Sequence, residues 1–257
     1  MKIVACYKIV RDERDLAVAP DRTVSFDGCA LRVGDYDLNA LEAGAELAAA
    51  TAGELVGLTI AGPEARDTKL RKGVLSRGVD AVASVVDPAL ADADAGTTAQ
   101  VLAAAVGRLD GCDLVLCGEG SADRYSQQVG AQLAAVLGLP YVNSVRSVEP
   151  SGTGVLVERT LEREVETLQV PLPAVLSVTA DANTPRIPSM KDILGAAKKP
   201  ATEWSLADLG IELPASKITL GPERAPASHA RTARIYPSGQ LQEFFGAVRQ
   251  LIGKDAK

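Results

Sequence analysis

The sequence has few of the residues that build metal sites or hydrolytic triads. Its only histidine, His229, lies in a segment rich in proline, alanine and arginine, with no second candidate ligand nearby. This disfavours a histidine-based metal site and a Ser-His-Asp triad. No CxxC pair occurs among the four cysteines, Cys6, Cys29, Cys112 and Cys117. Three of them lie in or beside apolar, strand-like runs, so we interpret them as packing residues and predict no metal site.

Excess positive charge and long apolar runs are also missing. The chain has 27 Lys and Arg against 33 Asp and Glu, with a net charge of -6. Since a nucleic-acid groove usually needs a basic stripe, we expect no nucleic-acid partner. No apolar run approaches the roughly 18 to 20 residues of a membrane span. The start MKIVACYKIV lacks the apolar region of a signal peptide, so we expect a cytoplasmic protein.

Short apolar runs alternate with helical patterns along most of the chain. Five aliphatic runs are typical of buried parallel strands: KIVAC (2–6), LVGLTI (55–60), AVASVV (81–86), DLVLC (113–117) and AVLSVT (174–179). Apolar residues at helical spacing predict helices over 38–50, 64–76 and 97–109. Strand and helix repeated in this order predict crossover units, and hence a mostly parallel sheet with helices on both faces.

The pattern changes after Pro140. The run GVLVERTLEREVETLQV contains two extended stretches around a charged middle, which predicts a hairpin at the edge of the sheet. From about residue 200 the core pattern weakens, and the tail QLQEFFGAVRQLIGK predicts a helix with one apolar face. Such a face docks either on a partner subunit or on the chain's own domain. We therefore expect an α/β domain over 1–199 and a C-terminal arm over 200–257.

The stretch from Asp113 to Pro140 points most directly to a ligand. A strand leads through a loop of small residues into a helix. Small residues let the backbone approach a ligand, and the N–H groups of the first helical turn favour an anion such as phosphate. Short polar residues crowd this loop: Ser121, Asp123, Ser126, Gln127 and Gln128. Ligands of open α/β sheets bind at this end of the strands. The alternative is an ordinary strand-to-helix connection with Ser126 as the N-cap.

Two common phosphate-binding motifs do not account for this loop. The pattern GxxxxGK[ST] is absent from the sequence. The pattern GxGxxG fails because Asp123 stands where its last glycine belongs.

Several long stretches together resemble the beta subunit of electron transfer flavoproteins, most closely the FixA type. They are KIVACYK at the start, YDLNALEA (36–43), VLSRGVD (74–80), CGEGSADRYSQQVG (117–130), LVERTLEREVETLQVPLPAV (156–175) and IPSMKDILGAAKKP (187–200). The resemblance implies a three-layer α/β sandwich of the adenine-nucleotide alpha-hydrolase type, with a mostly parallel sheet and an edge hairpin. It also implies a C-terminal arm that packs on an alpha subunit.

The resemblance further implies a function. The chain would be an electron-carrying subunit without catalytic residues, acting between a dehydrogenase or reductase and a redox acceptor, in pathways that include anaerobic metabolism. The alpha subunit would hold most of the FAD, and this subunit a buried AMP or a second, bifurcating FAD. The nucleotide-binding positions carried over are Cys6, Asp37, Asn39, Ala61, Gly118, Ser121, Asp123, Tyr125, Ser126, Gln127, Gln128, Val129 and Gly130. Among these, Gln127, Gln128 and Val129 would offer first-turn N–H groups to the phosphate.

The chain departs from the family pattern at positions that bear on its ligand and partner. Bifurcating members carry roughly DGDTAQVGP where this chain has DRYSQQVGA, so that Tyr125 replaces an aspartate; this favours AMP. Housekeeping members carry Thr at Val129. The partner-recognition loop corresponds to 181–190 and includes Ala182, Asn183 and Pro185. Because Ala182 replaces an anchoring leucine, we expect a redox partner outside the usual housekeeping dehydrogenases.

Two other interpretations share this architecture. A stand-alone ATP-binding regulator resembling universal stress proteins would be a homodimer without flavin, but it would have little use for the tail after residue 200. An ATP-using ligase or hydrolase would need a Gly/Ser phosphate loop directly after the first strand. The sequence CYKIVRDERD lacks such a loop.

Overall fold

The structure, a computed structural model, describes residues 1–91, 93–213, 218, 221–227 and 233–252. It divides into two units. The first comprises Met1–Ala17 and Ser25–Pro222, and the second Val18–Val24 and Glu223–Lys257. The interpretation of His229 concerns a residue outside the described part of the chain.

The strands form a large central sheet and shorter pairs. In chain order they are β1 (Lys2–Cys6), β2 (Ile9–Arg11), β3 (Ala17–Val18), β4 (Val24–Ser25), β5 (Leu31–Val33), β6 (Glu54–Ala61), β7 (Ala81–Val86), β8 (Leu114–Gly118), β9 (Tyr141–Ser151), β10 (Gly154–Thr160), β11 (Val165–Pro171), β12 (Ala174–Val178) and β13 (Ala201–Trp204). The central sheet has nine strands in the order β11-β10-β9-β12-β8-β1-β6-β7-β13. All neighbours from β9 to β13 are parallel, and only the β9-β10-β11 part is antiparallel. The predicted mostly parallel sheet is confirmed.

Helices cover both faces of this sheet. In the first unit they are α1 (Asp35–Thr51), α2 (Thr68–Leu75), α3 (Ala95–Arg108), α4 (Val129–Leu137), α5 (Met190–Ala196) and α6 (Leu206–Leu209), with 3₁₀ turns at Glu13–Asp15, Pro63–Arg66 and Pro88–Leu90. A seventh helix, α7 (Leu241–Ile252), belongs to the second unit. Side chains alternate along β1, so that Ile3 packs in one core with α1 and α2 while Val4 packs in the other with α3 and α4. This gives the expected three-layer sandwich.

The predicted helix over 64–76 is wrong as a single helix. A 3₁₀ turn ends before Asp67, whose extended backbone starts a new helix. The Asp67 side chain accepts hydrogen bonds from the N–H groups of Lys69 and Leu70. A residue that caps one helix cannot lie inside another. The apolar spacing therefore continued across a position where the backbone is not helical.

The predicted hairpin forms one edge of the central sheet, and β13 forms the other edge. Strands β10 and β11 pair antiparallel, with Thr160 opposite Val165, and β11 is the outermost strand, as predicted. The sequence analysis missed β13, which pairs with β7 at the other edge. Trp204 packs against the core that contains α3. Residues just after 199, where the predicted arm begins, therefore belong to the first unit, which ends at Pro222.

The second unit contains α7, in line with the helix predicted for the tail. Its large apolar side chains are exposed in this chain: Leu241, Phe244, Phe245, Leu251 and Ile252. The rings of Tyr236 and Phe244 pack edge to face with centroids 5.7 Å apart. In the described part of the chain, no helix combines the length and apolar character needed to cross a membrane.

Candidate functional site

The direction of sheet growth reverses between β1 and β8, and we call the space beside the carboxyl ends of these two strands the crevice. From β1 the chain adds β6 and then β7 on one side, and it returns to place β8 on the other side of β1. The loops after β1 and β8 therefore diverge at the carboxyl ends of two neighbouring strands. In open α/β sheets this is where ligands bind. The crevice combines Lys8, just after β1, with Gly118 and the loop that follows β8.

Asp37, in the first turn of α1, joins both loops at the bottom of this crevice. Its buried Oδ2 accepts the backbone N–H of Lys8 at 2.8 Å, and the carboxylate also accepts the N–H of Gly118. The backbone of Gly118 lies so close to Asp37 and Tyr36 that a side chain does not fit at this position. An added Cβ would lie 2.7 Å from Asp37 Oδ1 and 2.8 Å from the Tyr36 carbonyl carbon. Glycine is therefore required here by space.

Burial raises the pKa of Asp37 to about 7, from the ordinary 3.8. The hydrogen bond from the Lys8 N–H, the Lys8 charge and the bond from Gly118 act in the opposite direction, but they do not cancel the burial. The carboxyl group therefore changes its charge close to neutral pH. Its two amide partners fix its position in either state.

A second carboxylate, Asp123, faces the Lys8 side chain. The ammonium Nζ lies 2.6 Å from Oδ2 and 2.9 Å from Oδ1 of Asp123. Burial would raise the pKa of Asp123, but the Lys8 hydrogen bond and charge outweigh it and leave the pKa lowered. The side chains are 43% and 36% exposed, so the pair contributes less than about 1 kcal/mol to stability. Its effect is to connect the loop after β8 to the end of β1.

Two residues of the loop after β8 have left-handed backbones that are unusual outside glycine. Tyr125 has φ 44 and Gln127 has φ 56. The Tyr125 ring packs against the Tyr36 ring at 5.2 Å and covers Gly120, whose added Cβ would lie 2.5 Å from that ring. The backbone N–H of Tyr125 donates to the Ser121 carbonyl at 2.9 Å. The loop is thus folded tightly upon itself.

Helix α4 begins later than predicted. Its first residue is Val129 and its N-cap is Gln128, whose side chain makes no capping hydrogen bond. Ser126 as the N-cap is therefore wrong, because the left-handed Gln127 interrupts any helix before residue 128. The helical residues of the first turn are Val129, Gly130 and Ala131, and Gln128 is the N-cap, so assigning Gln127 to that turn is also wrong.

Two further residues of the predicted nucleotide site, Cys6 and Ala61, are the last residues of their strands. Cys6 is buried beside Cys117 at the ends of β1 and β8, and the hydrogen bond with Cys117, together with burial, raises its pKa well above the ordinary value. These two thiols pack in the core, as interpreted from the sequence. Ala61 ends β6 and packs against Ala65 and Val86. Within the described residues, no group of three or more His, Cys, Asp or Glu side chains could hold a metal ion.

Most of the chain matches a known family. A model of the electron transfer flavoprotein domain matches residues 29–209. The chain belongs to this family. The matched range contains Asp37 and the loop after β8, whereas Cys6 and Lys8 precede it. The family is one of electron transfer proteins associated with flavin.

In this electron transfer flavoprotein domain, α1 also holds the segment after β12. The Asn39 amide donates to the carbonyls of Ala180 at 3.1 Å and Asn183 at 2.9 Å. One turn further, the buried Glu42 accepts two hydrogen bonds from the Arg186 guanidinium, at 2.7 and 2.8 Å. Asn39 thus points to the predicted partner-recognition segment, not to the loop after β8.

Within that segment the structure distinguishes anchored from exposed residues. Ala182 packs partly against the core, and Asn183 is bonded to Asn39. Pro185 is half-buried. Ile187, which was not among the predicted residues, is 93% exposed. It is the apolar side chain of this segment that is most available to another protein.

The sequence analysis also missed two residues of the crevice, Lys8 and Tyr36. Both fall in stretches that carried the family resemblance, KIVACYK and YDLNALEA. A lysine directly after a buried strand was the available signal for Lys8, because the carboxyl end of such a strand borders ligand sites. For Tyr36, the packing against Tyr125 has no signal in the sequence.

Proposed function

We propose that this chain is the nucleotide-holding, beta-type subunit of a heterodimeric electron transfer flavoprotein, similar to the FixA type. It carries electrons between a dehydrogenase or reductase and a redox acceptor, and an alpha subunit holds the FAD. The observation that carries this proposal is the crevice between β1 and β8, closed by Asp37 and the folded loop, within an electron transfer flavoprotein domain.

An adenine nucleotide fits the crevice as its ligand. The first turn of α4 presents the N–H groups of Val129, Gly130 and Ala131 without a side-chain cap from Gln128. Free N–H groups at a helix start attract a phosphate. Gly130 is buried, and an added Cβ would lie 3.1 Å from the Tyr141 ring, so the backbone is held close to the sheet. The chain itself supplies binding and exclusion of water; the flavin supplies the redox chemistry.

We favour AMP over a second FAD. In the loop, Tyr125 stands where the bifurcating pattern has an aspartate. Its ring packs on Tyr36 and covers Gly120. Two bulky rings at this point leave less room for FAD, which is larger than AMP. The sites proposed for nucleotide contact remain the set carried over from the family, with Val129, Gly130 and Ala131 as the phosphate-binding turn.

Two surfaces are proposed for protein partners. The exposed apolar side chains of α7, among them Phe245 and Leu251, fit an alpha subunit. The segment with Ala182, Asn183 and Pro185 is proposed to contact the redox partner. Its fixed backbone suits recognition, because a segment that is already ordered loses little entropy on binding.

The experiment that tests this function is to purify the chain with and without its alpha subunit, denature it, and identify the released nucleotides by absorbance and mass. One FAD and one AMP per heterodimer support the proposal in full. Two FAD molecules would keep the subunit assignment and replace AMP. ATP released from a flavin-free homodimer would overturn the proposal in favour of a regulator similar to universal stress proteins.

A further inference from the structure

Lys8 connects to the crevice in two independent ways. Its backbone N–H is held by the buried Asp37, at 2.8 Å. Its side chain instead reaches Asp123 on the loop after β8, and this ion pair is partly exposed. The backbone anchor fixes where the lysine stem starts. The ammonium can exchange partners without disturbing that anchor.

The crevice contains more than one acidic group. Asp37 and Asp123 both lie within it, and Glu119 follows β8 directly. A phosphate that approaches the start of α4 meets the field of these carboxylates, and in a partly desolvated cleft like charges repel more strongly than in water. The Lys8 ammonium is placed between the two loops, where it offsets this repulsion.

The ion pair can exchange at low cost. A half-exposed lysine–carboxylate pair is worth less than about 1 kcal/mol. A phosphate carries more negative charge than a carboxylate and offers more acceptor oxygens. An ammonium has three donors on a flexible stem, so it can turn from one acceptor to the other.

We propose that Lys8 determines the charge specificity of the crevice: its ammonium binds the phosphate of the adenine nucleotide, and Asp123 competes for the same ammonium when no nucleotide is bound. This inference rests on the proposed function, namely that an adenine nucleotide occupies the crevice. It assigns Lys8 a specificity role and Asp123 the role of an internal competitor.

The test compares AMP with adenosine, which differ only in the phosphate. The full-length chain, freed of co-purified nucleotide, is titrated calorimetrically with each. The variant Lys8→Gln should weaken AMP binding about tenfold or more, since a charge-assisted hydrogen bond is lost, and leave adenosine binding unchanged. The control Lys72→Gln removes the same charge from an exposed position of α2 and should change neither affinity. Asp123→Asn should tighten AMP binding, because the competitor is removed.

The outcomes separate a failure of the proposed function from a failure of the role given to Lys8. If the unaltered chain binds neither AMP nor FAD, which is titrated in the same way, the proposed function fails. Binding of FAD alone would keep the subunit assignment and overturn the inference about Lys8 and AMP. If it binds AMP, but Lys8→Gln weakens AMP and adenosine equally, Lys8 has only a structural role and the inference is overturned. Weaker AMP binding by the Asp123→Asn variant would also refute the proposal that Asp123 competes with the phosphate for the Lys8 ammonium. Recovery of AMP affinity by Lys8→Arg, with adenosine unchanged, would support a role for positive charge.

Discussion

Asn39 and Asn183 exchange hydrogen bonds between α1 and the segment that follows β12. The Asn39 amide donates to the backbone carbonyl of Asn183 at 2.9 Å and to its side-chain oxygen at 3.1 Å. The Asn183 amide donates back to the Asn39 carbonyl at 3.0 Å. The family resemblance gives these residues separate tasks, nucleotide binding and partner recognition. In the folded chain they form one structural unit.

Replacing Asn39 by alanine should destabilise the fold by about 1 to 3 kcal/mol, because the carbonyls of Ala180 and Asn183 lose a buried donor. Urea denaturation measures this change. Asn143→Ala, at an exposed position of β9, should stay within about 0.5 kcal/mol. In a double-mutant cycle with Asn183→Ala, strictly additive effects would contradict the pairing.

Asp37 should make the stability of the chain depend on pH. Its pKa in the folded chain is about 7, above the ordinary 3.8, so the folded state keeps the proton to higher pH than the unfolded state. The contribution of Asp37 to stability is therefore largest below the ordinary pKa and is lost as pH rises towards 7. The slope is at most about 1.4 kcal/mol per pH unit.

The measurement compares unfolding free energies at pH 5 and pH 8. Asp37→Asn should lose less stability between these pH values than the unaltered chain does. Asp27→Asn, which removes the same charge at an exposed position, should keep the original pH dependence. Equal pH dependence in the Asp37→Asn variant and the unaltered chain would show that Asp37 titrates normally.

Gly118→Ala should destabilise the chain by about 1 to 3 kcal/mol, because the new methyl group meets the Tyr36 backbone and the Asp37 carboxylate. Thermal or urea unfolding detects the loss. The matched control is Gly107→Ala in α3, where an added Cβ has no neighbour within 4 Å. That change should stabilise the helix by about 0.5 to 1 kcal/mol. If both variants behaved alike, the close approach at Gly118 would be refuted.

Phe245→Ser should weaken association with an alpha subunit about tenfold or more, since it removes an exposed aromatic side chain from the α7 face. The stability of the first unit should not change. Sedimentation of the mixed subunits, with Gln242→Ser on the same helix as the control, measures the association. Unchanged association of Phe245→Ser would remove α7 from the proposed interface.

The sequence predicted best the strands that are buried on both faces. KIVAC and AVASVV match β1 and β7 residue for residue, because helices cover both sides of these strands and all positions except Lys2 and Ser84 are apolar. Strand β13 was missed because ATEW is short, lies at an edge and is mostly exposed. The helix over 64–76 failed because apolar periodicity does not register the cap at Asp67.

The position of the crevice followed from the rule for strand ends, but its internal contacts did not. Lys8 and Asp123 are 115 positions apart, and only the finished sheet brings them together. The start of α4 was misplaced because the left-handed backbones of Tyr125 and Gln127 are unusual for these residue types. The nucleotide contacts carried over from the family stay predictions.

The outermost strands of the nine-stranded sheet each hold a glutamate in an ion pair. Glu166 on β11 binds Arg159 of the neighbouring strand, and Glu203 on β13 binds Arg66. Charged side chains on an outer strand hinder another chain from adding to the sheet by backbone hydrogen bonds. Both edges of this sheet therefore oppose edge-to-edge aggregation between copies of the chain. This would protect copies that have just been synthesised and have not yet bound another protein.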